Sequence, residues 1–184
     1  MDLDAGQELT LKGRIRLGVG WDKERTAGAI GTGAPDVDLD ATAVQFAGGQ
    51  LFDLAFYNNL STRDGSVVHE GDNKTGVGDG DDESLTVDLD RVHGPVDTIV
   101  LLVSSYQGHS LTWLNRAYCS VTDDAGAELA TIRISGGPDT TGLVLATLKR
   151  AADGWTLRAI GDGVAITVPS QGIAKLSPWV ASSG

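Results

Sequence analysis

Apolar residues recur at every second position in short runs, and glycine-rich stretches separate the runs. That period places alternate side chains on opposite faces of a strand, so one face can enter a core while the other stays wet. "ELTLKGRIRLGV" reads as one or two strands with Leu9, Leu11, Ile15 and Leu17 inward. "DVDLDATAVQF" (36–46), "FDLAFY" (52–57) and "SLTVDLD" (84–90) alternate in the same way. "DTIVLLVSSY" (97–106) is apolar almost throughout, which predicts a central strand buried on both faces. Two hairpins are expected, around Asp123–Gly126 and around Asp153–Gly154. Helical signals are weak: "TWLNR" reads as one turn, and Pro178 interrupts "IAKLSPWVA". Seven to ten short strands with glycine-rich turns predict an all-β, antiparallel β-sandwich of two packed sheets, with at most one or two short helices. At 184 residues, without a linker or clear repeat, residues 1–184 read as a single domain.

The charge is localised. Of the formal net charge of −11, −7 falls between Glu70 and Asp90, where eight acids meet one base, Lys74. A nucleic-acid partner needs a basic face and is excluded. Anionic lipid is excluded too, unless a cation bridges the two surfaces. No apolar run approaches the ~18 residues of a membrane span, and the acidic N-terminus lacks the pattern of a signal peptide. One cysteine, Cys119, allows no intrachain disulfide and fits a reducing compartment. The expectation is a cytoplasmic protein without direct membrane insertion.

Acid and flexibility coincide in "GDNKTGVGDGDDES" (71–84). Glycine loses the most freedom on folding and adjacent carboxylates repel, so an ordered segment of this kind needs something to offset both costs. A divalent cation does so. Calcium takes about six to eight oxygens from carboxylates, amides, carbonyls and water. The segment supplies Asp72, Asn73, Asp81, Asp82 and Glu83. Asp72 and Glu83 have the spacing of the first and last EF-hand ligands, but Lys74 and Gly76 fill intermediate positions and no amphipathic helices flank the loop, so an EF-hand is excluded. "DVDLDA" (36–41) places Asp36, Asp38 and Asp40 on one strand face at roughly 7 Å intervals. Asn58 and Asn59 lie between the two clusters. The bland alternative is an acidic, solvated loop with no ligand.

Other chemistries find less support. No phosphate-binding glycine loop is present, and "GVGWDK" lacks the third glycine of a dinucleotide fingerprint. One cysteine and three histidines (His69, His93, His109) lack zinc-ligand spacing. Cys119 lies in the apolar alternation "AYCSV" and reads as core rather than as a nucleophile paired with His109. His69 is the only plausible base near the acids. Trp155 reads as a hairpin anchor.

The segments that carry the acids also carry a family resemblance. "LGVGWD" (17–22), "DLDATAVQF" (38–46), "FYNNLSTRDGSVVHEGDNKTGVGDGDDESLTVDL" (56–89) and "VDTIVLLVSSY" (96–106) resemble the TerD family of tellurite-resistance and stress-response proteins, with "LTLKG" in its expected place. The loop 25–36 is this chain's own, and 105–121 matches only loosely. The resemblance implies a cytoplasmic, non-enzymatic bacterial β-sandwich that binds calcium, commonly two ions. It implies work with other stress-response proteins, including a membrane-embedded partner that recruits it to the inner face of the membrane. Carried over motif by motif, the metal ligands are Asp22, Asp38, Asp40, Asn58, Asn59, Asp72, Asn73, Asp81, Asp82 and Glu83.

Physical chemistry bounds that expectation. Tellurite is an oxyanion, and a chain of net charge −11 repels it. A lone thiol offers little reducing capacity. Resistance would then act through partners. The alternative expectation is a calcium-dependent lectin-like binder with an exposed aromatic, Trp21 or Tyr57, beside an open coordination position.

Overall fold

The computed structural model describes residues 1–22, 38–72, 81–134 and 138–181, with the backbone alone at Asp22, Asp72 and Asn115. Among the described residues, twelve strands form two six-stranded sheets. In chain order they are β1 (Asp2–Leu3), β2 (Glu8–Leu11), β3 (Arg14–Asp22), β4 (Asp40–Ala47), β5 (Gln50–Ala55), β6 (Val67–Asp72), β7 (Glu83–Asp88), β8 (Thr98–Ser104), β9 (Asn115–Asp123), β10 (Glu128–Arg133), β11 (Gly142–Ala151) and β12 (Gly154–Val164). The first sheet runs β1-β10-β9-β3-β7-β6 and the second β2-β12-β11-β8-β4-β5. Every pairing is antiparallel except β1 with β10, which is parallel. The strand count exceeds the expected seven to ten, because "ELTLKGRIRLGV" splits at Gly13 and because β1 carries too few residues to show a period.

Two apolar layers follow from the alternation on β8. Ile99, Leu101 and Val103 enter the core between the sheets with Ile15, Leu17, Leu85, Val87, Cys119 and Trp155. Val100 and Leu102 point the other way and join Val44, Phe46, Val144, Ile166 and Leu176. All seven residues of β8 are buried, as its continuous apolar run predicts. The cover over the outer face of the second sheet is the C-terminal segment, a 3-10 turn at Ile173–Leu176 that leads into α1 (Ser177–Ala181). Pro178 does not interrupt this segment. It falls in the first turn of α1, where a missing N–H costs nothing. "TWLNR" contributes a 3-10 turn, Leu111–Trp113.

Both predicted hairpins form. Gly126 (φ +83°) and Gly154 (φ +104°) take the left-handed backbone that closes each turn. β4 begins at Asp40, so Asp38 precedes the strand, and the two side chains line one cavity. Asp36 and the loop 25–36 lie outside the described residues. No helix among the described residues is long and apolar enough to cross a membrane.

Candidate metal centre

Four strand ends meet at one end of the sandwich. β3 finishes at Asp22, β6 finishes at Asp72, β4 starts at Asp40 and β7 starts at Glu83. The register places Asp72 and Val19 beside Glu83 in the first sheet, and the Ala41 N–H on Glu83 Oε2 brings the start of β4 to them from the second. The turn after β5, closed by Phe56 and Asn59, lies at the same end because β5 runs antiparallel to β4. Pairing geometry thus gathers acid-bearing segments that are far apart in the chain.

Glu83 holds the centre of this end. Its side chain is 4% exposed, and its Oε2 accepts the backbone N–H of Ala41 at 2.5 Å, tying β7 to the start of β4. His69 Nε2 lies 3.4 Å from the same oxygen, while His69 Nδ1 accepts the backbone N–H of Gly71 at 3.0 Å. An imidazole buried in this way has no surface from which to reach a substrate. Asp82 donates its backbone N–H to the Val19 carbonyl at 2.8 Å, and its carboxylate accepts the Trp21 N–H at 3.1 Å. Asp38 and Asp40 open into one cavity of about 240 Å³ with Tyr57, Tyr106 and Gln107. Burial pushes the Tyr57 phenol up, and the charge of Asp40 adds to the rise.

Asp81 lies elsewhere. It precedes β7 and projects onto the outer face of the first sheet, where Arg16 Nη1 donates to it at 2.5 Å and Ser120 Oγ donates at 3.3 Å. Glu70 lies on the same face and accepts from Ser84 and Thr86, with Arg16 Nε 3.5 Å away. Burial alone would raise the Glu70 carboxyl; the Thr86 and Ser84 hydrogen bonds and the Arg16 charge outweigh it and hold the group below the usual carboxylate range.

The asparagines take different roles. Asn59 donates its Nδ2 to the Leu54 carbonyl at 2.7 Å and closes the turn after β5, whereas Asn58 is exposed on that turn. Asn73 lies outside the described residues. Among the described residues, no three His, Cys, Asp or Glu side chains already converge on one point. Asp81 and Glu83, two apart, would share a face in a continuous strand, but Asp81 precedes β7 and lies with Arg16 and Ser120, whereas Glu83 is buried against the start of β4. The donors at this end are carboxylate oxygens without a thiolate, a set that suits a hard cation.

Sequence reasoning missed Arg16, hidden in a strand pattern, and Asp64. Asp64 accepts hydrogen bonds from Thr62, Ser66 and the His93 N–H, and its carboxyl is lowered to about 2 against the opposing effect of burial. The Asp-Gly pair in "TRDGS" was the available signal for that turn. Cys119 is buried, and desolvation together with the Asp81 charge raises its thiol to about 12. Trp21 is 7% exposed, which removes it as a ligand-facing aromatic; Tyr106 is 61% exposed and takes that place.

The family model described as the TerD domain matches residues 1–174. The tellurium resistance protein TerZ of Serratia marcescens is 35% identical over 84% of this chain and 82% of its own length. The stress response protein SCP2 of Bacillus subtilis (strain 168) is 32% identical over 89% of this chain and 92% of its own. A solved homologue of the telluride resistance protein TerD from Streptomyces coelicolor A3(2) superposes with a TM-score of 0.69. It is 20% identical and covers 90% of this chain and 98% of its own, a likeness of fold.

Proposed function

The chain belongs to the TerD domain family, and on that premise we propose that it is a calcium-binding module of a bacterial stress response of the tellurite-resistance type, which acts by binding and scaffolding rather than by catalysis. The observation that carries this reading is the meeting of acid-bearing strand ends. Asp38, Asp40, Asp82 and Glu83 come from segments far apart in sequence and share one end of the sandwich. With Asp22 and Asp72 from the ends of β3 and β6, Asn58 and Asn59 from the turn after β5, and Asn73, they form the oxygen donor set for two calcium ions. Bound calcium would place positive charge among these carboxylates. The side chains themselves fix where β3, β4 and β7 end relative to one another, so ligation by them couples to folding.

In this reading the protein works in the cytoplasm with other stress-response proteins, among them a membrane-embedded partner that recruits it to the inner face of the membrane. Protection is indirect, because the net charge repels an oxyanion and the one thiol is buried. Calorimetric titration tests the metal assignment. Calcium binds the native protein saturably, and Asp38→Asn with Asp40→Asn weakens binding at least about tenfold, the loss expected when two charged ligands go. Unchanged affinity in that variant contradicts the assignment.

One observation favours a second reading. Exposed Tyr106 meets Tyr57 edge to face, with ring centroids 5.8 Å apart, beside Asp38 and Asp40. An aromatic platform next to a cation is the arrangement of a calcium-dependent lectin-like binder. A glycan array with calcium and with chelator separates the two readings.

A further inference from the structure

β6 carries one residue more than the strand beside it. Val67 pairs with Val87, Val68 with Thr86 and His69 with Leu85, yet Asp72 pairs with Glu83. Glu70 and Gly71 together therefore stand opposite Ser84, the two-against-one count of a β-bulge. Gly71 takes the left-handed backbone, φ +80°, and a Cβ added there would meet no described atom within 4 Å. The torsion, not the space, calls for glycine. Side chains hold the bulge on both faces of the strand. His69, buried, accepts the Gly71 N–H on Nδ1 at 3.0 Å. On the outer face the Glu70 carboxylate accepts from Ser84 at 2.9 Å and from Thr86. Arg16 Nε lies 3.5 Å from the same carboxylate, and its Nη1 donates to Asp81, which leads towards β7. In an unbroken ladder Gly71 would stand opposite Glu83 and Asp72 opposite Asp82. The extra residue is what brings Asp72 opposite Glu83.

We propose that this bulge is the positioning device of the metal centre: it sets the register in which Asp72 and Glu83 stand opposite one another, and Glu70, Gly71 and His69 act on calcium through that register without being ligands. The inference rests on the calcium reading above and gives a role to three residues that the ligand set omits. A slip of one residue changes which positions of two paired strands share a face, so the register decides which acids can meet one ion. A chain that had to build the bulge on binding would lose affinity by the cost of the Gly71 torsion. In this fold His69, Arg16 and two hydroxyls hold it beforehand.

The test is calcium affinity by calorimetry, with backbone NMR in chelator as a readout of the pairing without metal. Gly71→Val cannot hold φ +80° without strain. It is expected to lose the pairing of residue 72 with Glu83 in chelator and to weaken calcium binding on the order of tenfold, the factor that matches the cost of a left-handed residue. Gly71→Asn, which tolerates that region, is the conservative variant; it is expected to keep the pairing and stay within about threefold of native affinity. Should Gly71→Val not fold, Glu70→Ala, which removes the outer hold and leaves the torsion alone, carries the test with the same expectation. Gly49→Val places the same strain (φ +79°, no described atom within 4 Å) in the turn between β4 and β5, at the other end of β4 from Asp40. It is expected to leave affinity within about twofold, because the site is distant. Native affinity in the variant that carries the test, with the native protein binding normally, overturns the inference and leaves the calcium reading standing. So does an equal loss in Gly49→Val or in Gly71→Asn, or a loss of affinity with the pairing intact. A native protein that binds no calcium overturns both.

Discussion

His69 Nε2 lies 3.4 Å from Glu83 Oε2 between the two sheets, and both side chains are all but fully buried. His69 Nδ1 accepts the Gly71 amide, which fixes the ring beside the carboxylate. The same carboxylate oxygen takes the Ala41 amide. One acid thereby joins β6, β7 and β4 at the end where the other acids collect.

Removing that acid takes the acceptor from the Ala41 N–H. Glu83→Ala is expected to destabilise the chelator-treated protein by about 1–3 kcal/mol. Glu83→Gln retains one acceptor oxygen and loses less. Urea unfolding in chelator measures both, and equal stability of Glu83→Ala and the native protein contradicts the role.

Asp64 makes stability depend on pH at the acid end. Its carboxyl titrates at about 2 in the folded protein against an ordinary 3.8, so the folded state binds this proton more weakly than the unfolded chain. The stabilisation is fully present above about pH 4 and is lost as pH falls through about 2. Asp64→Asn is expected to flatten the melting-temperature profile across that window and to cost about 1–3 kcal/mol at neutral pH, since an amide nitrogen then faces donors. An unchanged profile contradicts the assignment.

Cys119 is chemically silent in the native fold. With the thiol raised to about 12, only about one molecule in 10⁵ carries a thiolate at pH 7, and burial blocks access to it. A thiol-reactive dye is expected to label the protein in denaturant and not in buffer. The purified protein is likewise expected not to reduce tellurite. Rapid labelling of the native protein refutes this.

The C-terminal cover contributes to the stability of the second sheet. Leu176 is fully buried against the cluster of Val44, Phe46, Val100 and Leu102. Leu176→Ala is expected to cost about 2–5 kcal/mol in urea unfolding, as for other large-to-small changes in a core. A cost within measurement error shows that the segment merely lies on the sheet.

Much of this architecture was legible because strand period and turn chemistry are local. β8 declared itself by an unbroken apolar run, and Asp153–Gly154 by its turn pair. The start of β4 misled, because alternation continues across "DVDLD" although pairing with β8 begins only at Asp40. Pro178 misled as well, since its position relative to the start of α1 depends on packing over the second sheet. Arg16 could not be seen at all: its partners, Glu70 and Asp81, lie more than fifty residues away, and the pairing of β7 with both β3 and β6 brings them onto one face.

Thermal unfolding with calcium, with magnesium and with chelator alone tests the central claim most directly. Calcium at a hundredfold excess over its dissociation constant stabilises by about 2.7 kcal/mol per site. For a domain of this size that corresponds to a rise of roughly 5–10 °C in melting temperature. The account predicts such a rise with calcium and a much smaller one with magnesium, which gives up its waters reluctantly. Identical melting temperatures in all three conditions would contradict it, and the acids at the ends of β3, β4, β6 and β7 would then not be ligands.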